Sequence, residues 1–239
     1  MGRDLEAPFT NGRADYAALY RARGDEVSPY RPIFTGDVFA GIGLPGSTGK
    51  VKKRAVMVVQ HPCSIRTDGV ALAWQLLVAE VSRRPVLDES EWEGNYALMP
   101  LPDLVPDTEA SARHHAASFD HLYVVPPAVL TSRNASLSPF GVNLALQRWV
   151  HFSSRVVVPT GTFQKESAAY YEEADLLEEW SESFDDMSIA DSARECMEWL
   201  REEVAPGITR QDMLKNAQAV STVRHTMREE LKNRRRRRQ

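Results

Sequence analysis

A chain of 239 residues with 43% hydrophobic and 26% charged side chains has the composition of a globular protein able to bury a core of its own. Its 29 basic and 33 acidic residues give a formal net charge of −4, which excludes a uniformly cationic nucleic-acid binder. Apolar runs such as residues 55–59 stop far short of the ~20 residues a membrane helix needs, which excludes a spanning helix on hydropathy.

In chain order, residues 15–22 (Asp15-Tyr-Ala-Ala-Leu-Tyr-Arg-Ala22) predict a short helix stopped at Gly24, within an N-terminal arm over residues 1–35. From Asp37 the period changes. Short β-branched or aromatic runs begin at Asp37, Arg54, Leu72, Tyr96 and His121, separated by Gly, Pro, Asp and Asn clusters. Several short strands without intervening helices predict a small, mostly antiparallel β-barrel over residues 36–160. Phe140, Leu144, Leu146, Trp149 and Phe152 then recur near helical spacing. Ser138 and Pro139 supply a cap and a first helical residue, so a helix is expected to pack on the barrel.

Residues 161–239 predict an acidic helical region, with helices over 166–180 and 188–204. Pro206-Gly207 breaks the chain, and Thr209 with Asp212 marks a capping-box start flanked by a staple of Ile208 and Met213. One long helix is predicted from there to about Arg236. Its apolar positions, Met213, Ala217, Val220, Met227 and Leu231, follow alternating steps of four and three, with Val223 on the same side and Arg224 at one seam position. The seam outlasts the preceding helix, which predicts that its last turns meet a partner. The fold class expected is therefore α+β: a barrel core, an N-terminal helical arm and a C-terminal helical region ending in a long helix.

Charge divides sharply along this half. Residues 166–203 carry fourteen acids against Arg194 and Arg201, a net −12, and repel nucleic acid. Residues 224–239 carry a net +6, ending in Arg234, Arg235, Arg236, Arg237 and Arg238. Such a run gives weak, non-specific, salt-sensitive affinity for phosphates, and it also offsets a helix dipole.

The remaining motifs are weaker. Gly41-Ile-Gly-Leu-Pro-Gly46 has the letters of a dinucleotide loop but leads into a strand, and Gly46-Ser-Thr-Gly-Lys50 lacks the rest of a phosphate loop; both predict a hairpin loop. His61 and Cys63, two apart at a strand end, project from one face if the strand continues, yet no third donor completes a zinc site, so a buried thiol beside an imidazole is expected and no metal or cofactor. Arg54, Arg66, Arg148 and Arg155 each adjoin apolar segments. They line an anion groove or pair with Asp37, Asp68 and Asp120. Cys63 and Cys196 lie too far apart for a disulfide framework, and residues 1–6 carry no apolar signal core, so a reducing, cytoplasmic setting is expected.

Gly36-Asp-Val-Phe39, a Gly-rich loop and Lys53-Arg-Ala-Val-Met-Val-Val-Gln60 resemble the opening of PemK/MazF-type small barrels, over residues 36–81. That resemblance implies a metal-independent endoribonuclease in which Arg54 stabilises phosphorane charge, with Ala55 in place of the family's proline and Ser64 and Thr67 the hydroxyls nearest Arg54. His61-Pro-Cys-Ser-Ile-Arg66 is more similar to strand ends of phage and mobile-element barrel proteins, which carry no transferable catalytic residues.

The function expected first is that of a non-catalytic accessory protein. Its seam residues Met213, Val220, Val223, Met227 and Leu231 would bind a protein that acts on nucleic acid, while Arg234–Arg238 touch nearby phosphates; no membrane is involved. A phage recombination directionality factor for a serine integrase is the concrete form, and the toxin-type ribonuclease is the alternative.

Overall fold

The computed structural model describes residues 5–46, 49–67, 71–85, 87–105, 114–184 and 186–238, with side chains to Arg236. The chain divides into two compact units, one of residues 1–28, 34–67 and 72–165 and one of residues 29–33, 68–71 and 166–239.

The first unit is built on a seven-stranded sheet. Its strands are β3 (Tyr20–Arg23), β4 (Asp37–Pro45), β5 (Val51–Val58), β8 (Leu76–Arg84), β9 (Leu98–Leu101), β10 (His114–Val125) and β11 (Arg133–Leu137), in the order β3-β11-β4-β5-β8-β10-β9. Every pairing is antiparallel. The minor strands β1 (Phe9–Thr10), β2 (Arg13–Ala14), β6 (Arg66–Thr67) and β7 (Ala71–Leu72) stand outside it. The sheet is open, with β3 and β9 as its edges, so the expected barrel is corrected to an open antiparallel sheet in an α+β fold. Antiparallel strands joined by short turns carry the same local pattern in either case; closure depends on whether the two edges pair.

The predicted helix over 15–22 is not formed. A 3-10 turn at Ala17–Leu19 leads directly into β3, which pairs with β11. The run expected from Leu72 to Val81 is broken between β7 and β8, where Trp74 is 79% exposed. Gly41 and Gly43 lie inside β4, Gly41 at a register shift between Phe39 and Ile42 and Gly43 paired with Lys53, so the expected hairpin loop shrinks to residues after Pro45. Ser47 and Thr48 of the phosphate-loop fragment lie outside the described residues.

Two helices lie wholly within this unit: α1 (Glu89–Gly94), which begins at Asp88 with a capping box to Glu91, and α2 (Pro139–Ser154). As predicted, Ser138 caps α2, its hydroxyl accepting from Gly141 N. Residues 141–148 of α2 are all buried. Gly141 is required there, because a Cβ would stand 2.3 Å from the Leu19 carbonyl oxygen. Gly36, at φ +84°, is likewise closed in by Leu137 and Val142, each 2.9 Å from the Cβ it lacks.

The next helix, α3 (Thr160–Ser181), is capped from far along the chain. Thr160 N donates to Glu6 Oε1 at 2.9 Å, so a carboxylate sits at the positive end of the helix. From Glu166 onward α3 belongs to the second unit, with α4 (Ile189–Arg201), the hairpin of β12 (Glu203–Ala205) and β13 (Ile208–Thr209), α5 (Arg210–Met213) and α6 (Ala217–Arg238). Its core gathers Leu176, Leu177, Trp180, Cys196, Trp199, Leu200, Leu214, Val223, Met227 and Leu231. Thr209 forms both halves of the predicted capping box with Asp212. The single helix expected from Thr209 is interrupted, however. Residues 214–216 close with i→i+3 bonds, and Asn216 Oδ1 accepts from Gln218 N to start α6 afresh. No helix among the described residues is long and apolar enough to cross a membrane.

Candidate functional site

Arg54 enters from β5 and Glu80 from β8, where Val56 and Glu80 are register partners. The Arg54 guanidinium donates to Glu80 Oε1, and Tyr123 on β10 donates its hydroxyl to Glu80 Oε2 at 3.4 Å. Glu80 is buried, so the arginine neutralises a carboxylate that would otherwise be costly inside the sheet. Sequence reasoning missed Glu80, although one acid inside the apolar run from Leu76 to Val81 is the signal that a cation must approach it.

The other arginines have separate fates. Arg148 is fully buried and donates to three backbone carbonyls, those of Leu144, Glu6 and Trp92, while lying 5.0 Å over the Trp92 ring. Burial pulls its guanidinium down to about 9, and nearby Glu6 opposes that shift. Arg155, in the left-handed conformation that closes α2, stacks at 4.3 Å over Tyr96. Arg66 lies in β6. Asp37, one of the carboxylates offered as an alternative partner for this set, faces Arg133 at 3.2 Å. Asp68 lies outside the described residues.

His61 and Cys63 are held together, in a different setting from the one expected. The strand ends, and Pro62–Ser64 make a 3-10 turn in which Cys63 is exposed and His61 Nδ1 stands 2.9 Å from its Sγ. Desolvation holds the His61 imidazole below its ordinary pKa. The buried thiol is Cys196, in the core of the second unit. Among the described residues, no group of three or more His, Cys, Asp or Glu is placed to hold a metal ion.

In the second unit the seam residues turn inward. Val223, Met227 and Leu231 are buried in its core, Met213 packs against that core, and Val220 is half-buried. Their apolar surface is therefore covered by α3 and α4, because the break at residues 214–216 lets α6 fold against the same unit. Arg224, the interruption in the seam, donates to Glu172 Oε2 at 2.6 Å, and Arg228 donates to Glu179 Oε1 at 2.8 Å. Arg31, which sequence reasoning passed over, donates to Asp175 at 3.0 Å and Glu178 at 2.8 Å.

The basic run divides in the same way. Arg234 donates to Glu195 and Glu230, each at 2.6 Å. Arg235 and Arg236 are exposed in the last turns of α6, Arg235 Nε donating to Ser183 O at 3.2 Å. The side chains of Arg237 and Arg238 lie outside the described residues. Elsewhere on the unit's surface, Val204 and Ile208 are exposed on the β12–β13 hairpin.

Compared with models of known protein families and with curated proteins, the chain matches none. With an open sheet and no family match, the resemblance to PemK/MazF-type barrels is withdrawn, and with it the role of Arg54 in phosphorane stabilisation.

Proposed function

We propose that this chain is a non-catalytic accessory protein that binds, through its C-terminal helices, a protein acting on nucleic acid, and that the basic end of α6 reaches the nearby phosphates. The division of the α6 cations carries this role. Arg224, Arg228 and Arg234 are matched to carboxylates of their own unit, whereas Arg235 and Arg236 stand exposed at the end of a helix anchored by Val223, Met227 and Leu231. A cationic end on a packed helix gives weak, non-specific phosphate affinity. Because the seam is used internally, contact with the partner falls to the outward residues of α6, such as His225, Thr226 and Glu229, and to Val204 and Ile208 on the hairpin. The most specific form is a phage directionality factor that redirects a serine integrase.

Gel retardation of duplex DNA over a salt series tests the phosphate contact. Retardation that falls steeply with salt and is lost in the Arg235→Ala/Arg236→Ala double variant is expected. Retardation unchanged by the double variant overturns it, and so does metal-free cleavage of the nucleic acid. For the integrase form, adding the chain to a serine integrase and its product sites should restore the excised arrangement; unchanged recombination direction removes that form.

A further inference from the structure

We infer that Cys63 is a nucleophilic thiol served by His61 as its base, and that it forms mixed disulfides with low-molecular-weight disulfides. This is independent of the accessory role above and rests on the first unit alone.

The turn that carries the pair is pinned from several sides. Pro62 and Ile65 are buried, so their side chains fix its two ends. The Gln60 amide bridges the turn to β8: its nitrogen donates to Ser64 O, and its Oε1 accepts from Leu77 N at 3.0 Å. Ser64 Oγ donates back to His61 O at 2.9 Å, and Ala73 N donates to Ile65 O at 2.8 Å. Between these anchors the Cys63 side chain faces solvent with the imidazole beside it.

The direction of the imidazole matters as much as its distance. Nδ1 also accepts from Cys63 N at 3.3 Å, so its single lone pair is shared between that N–H and the thiol, and the neutral ring carries its proton on Nε2. An uncharged imidazole 2.9 Å from a thiol is arranged to take the S–H proton. Burial of the ring favours that neutral form at rest and disfavours a standing imidazolium, so the proton is held on the ring only in passing. Cys196 provides the contrast: it is buried, with Sγ 4.0 Å from Leu176 O, and no disulfide in solution can approach it.

The step balances without any further reagent. His61 Nδ1 accepts the Cys63 proton, and the thiolate attacks one sulfur of the incoming disulfide. A new S–S bond forms at Cys63 as the old one breaks, and the departing thiolate takes the proton from His61 to leave as a thiol. The net exchange is one thiol and one disulfide for another thiol and another disulfide, so it reverses when reducing thiol is supplied.

Oxidised glutathione is the probe, with intact-protein mass spectrometry of the full chain as the readout. The native protein should gain one glutathione adduct, lost on reduction and absent in Cys63→Ser, while Cys196 is labelled only after denaturation. His61→Ala should slow the adduct by about tenfold or more, as loss of a general base does. Added free imidazole should then restore part of the rate, which a merely structural role for His61 would not allow. Far-ultraviolet circular dichroism of His61→Ala identical to the native chain separates the chemistry from misfolding. Labelling of Cys63 no faster than of an unstructured peptide of residues 59–67 overturns the inference, as does a His61→Ala rate equal to the native one.

Discussion

Arg234 lies 5.1 Å over the ring of Trp180 while its guanidinium donates to Glu195 and Glu230. The first residue of the cationic run is thus a structural contact between α6 and the buried face of α3, in a position where stacking and charge pairing act together. Arg234→Ala should lower the stability of the second unit by about 1–2 kcal/mol through lost stacking and partly screened ion pairs. The double variant at Arg235 and Arg236 should leave stability within about 0.5 kcal/mol, as substitutions at exposed sites usually do. Chemical denaturation of both proteins checks the contrast, which equal losses would remove.

At the start of α5, Thr209 and Asp212 exchange cap bonds, and Lys215 donates to the same carboxylate at 2.8 Å. The Lys215 hydrogen bond, followed by those from Thr209, holds the Asp212 carboxyl down to about 2. A carboxyl lowered by folding contributes stability above its unfolded value of 3.8, and that contribution fades as pH falls from there toward 2. Thr209→Ala should therefore cost about 0.5–2 kcal/mol near neutrality. The difference between variant and native chain should narrow below pH 4 in denaturation curves taken across that window.

Two glycines offer an internal comparison. Gly141→Ala places a Cβ 2.3 Å from a backbone oxygen, and relieving that clash should cost about 1–3 kcal/mol. Gly161→Ala, in the first turn of α3 with nothing within 4 Å of its Cβ, should be neutral or stabilising by up to about 1 kcal/mol. Thermal melts of the two variants moving in the same direction would contradict the packing described for α2.

The signals that were legible in the sequence are local ones. Ser138-Pro139 announced α2, and Thr209 with Asp212 announced α5, because a cap is satisfied within three residues of itself. The strand identities of β4, β5 and β8 followed from β-branched runs between turn residues. Barrel closure was not legible, since it depends on β3 and β9, edges that lie almost eighty residues apart. Residues 20–22 were misread for a related reason: Tyr16, Leu19 and Tyr20 have helical spacing, and only pairing with β11 makes that segment part of a strand. The break in the last helix did have a marker, Asn216, whose capping side chain was outweighed by the apolar spacing that runs on through it. Of the candidate residues, Arg54 was rightly singled out as needing a partner, but its partner arrives from a neighbouring strand through register, which residue spacing does not encode.

Arg31 is 7% exposed and lies among residues 29–33, yet it belongs to the second unit, where it bridges Asp175 and Glu178. A fragment cut at the apparent sequence boundary near residue 161 would leave those carboxylates beside Glu172 and Glu179 without that cation. Such a fragment would be an acid-crowded bundle whose instability at low salt could be mistaken for dependence on a missing partner. Arg31 supplied on a short peptide, or high salt alone, should steady it.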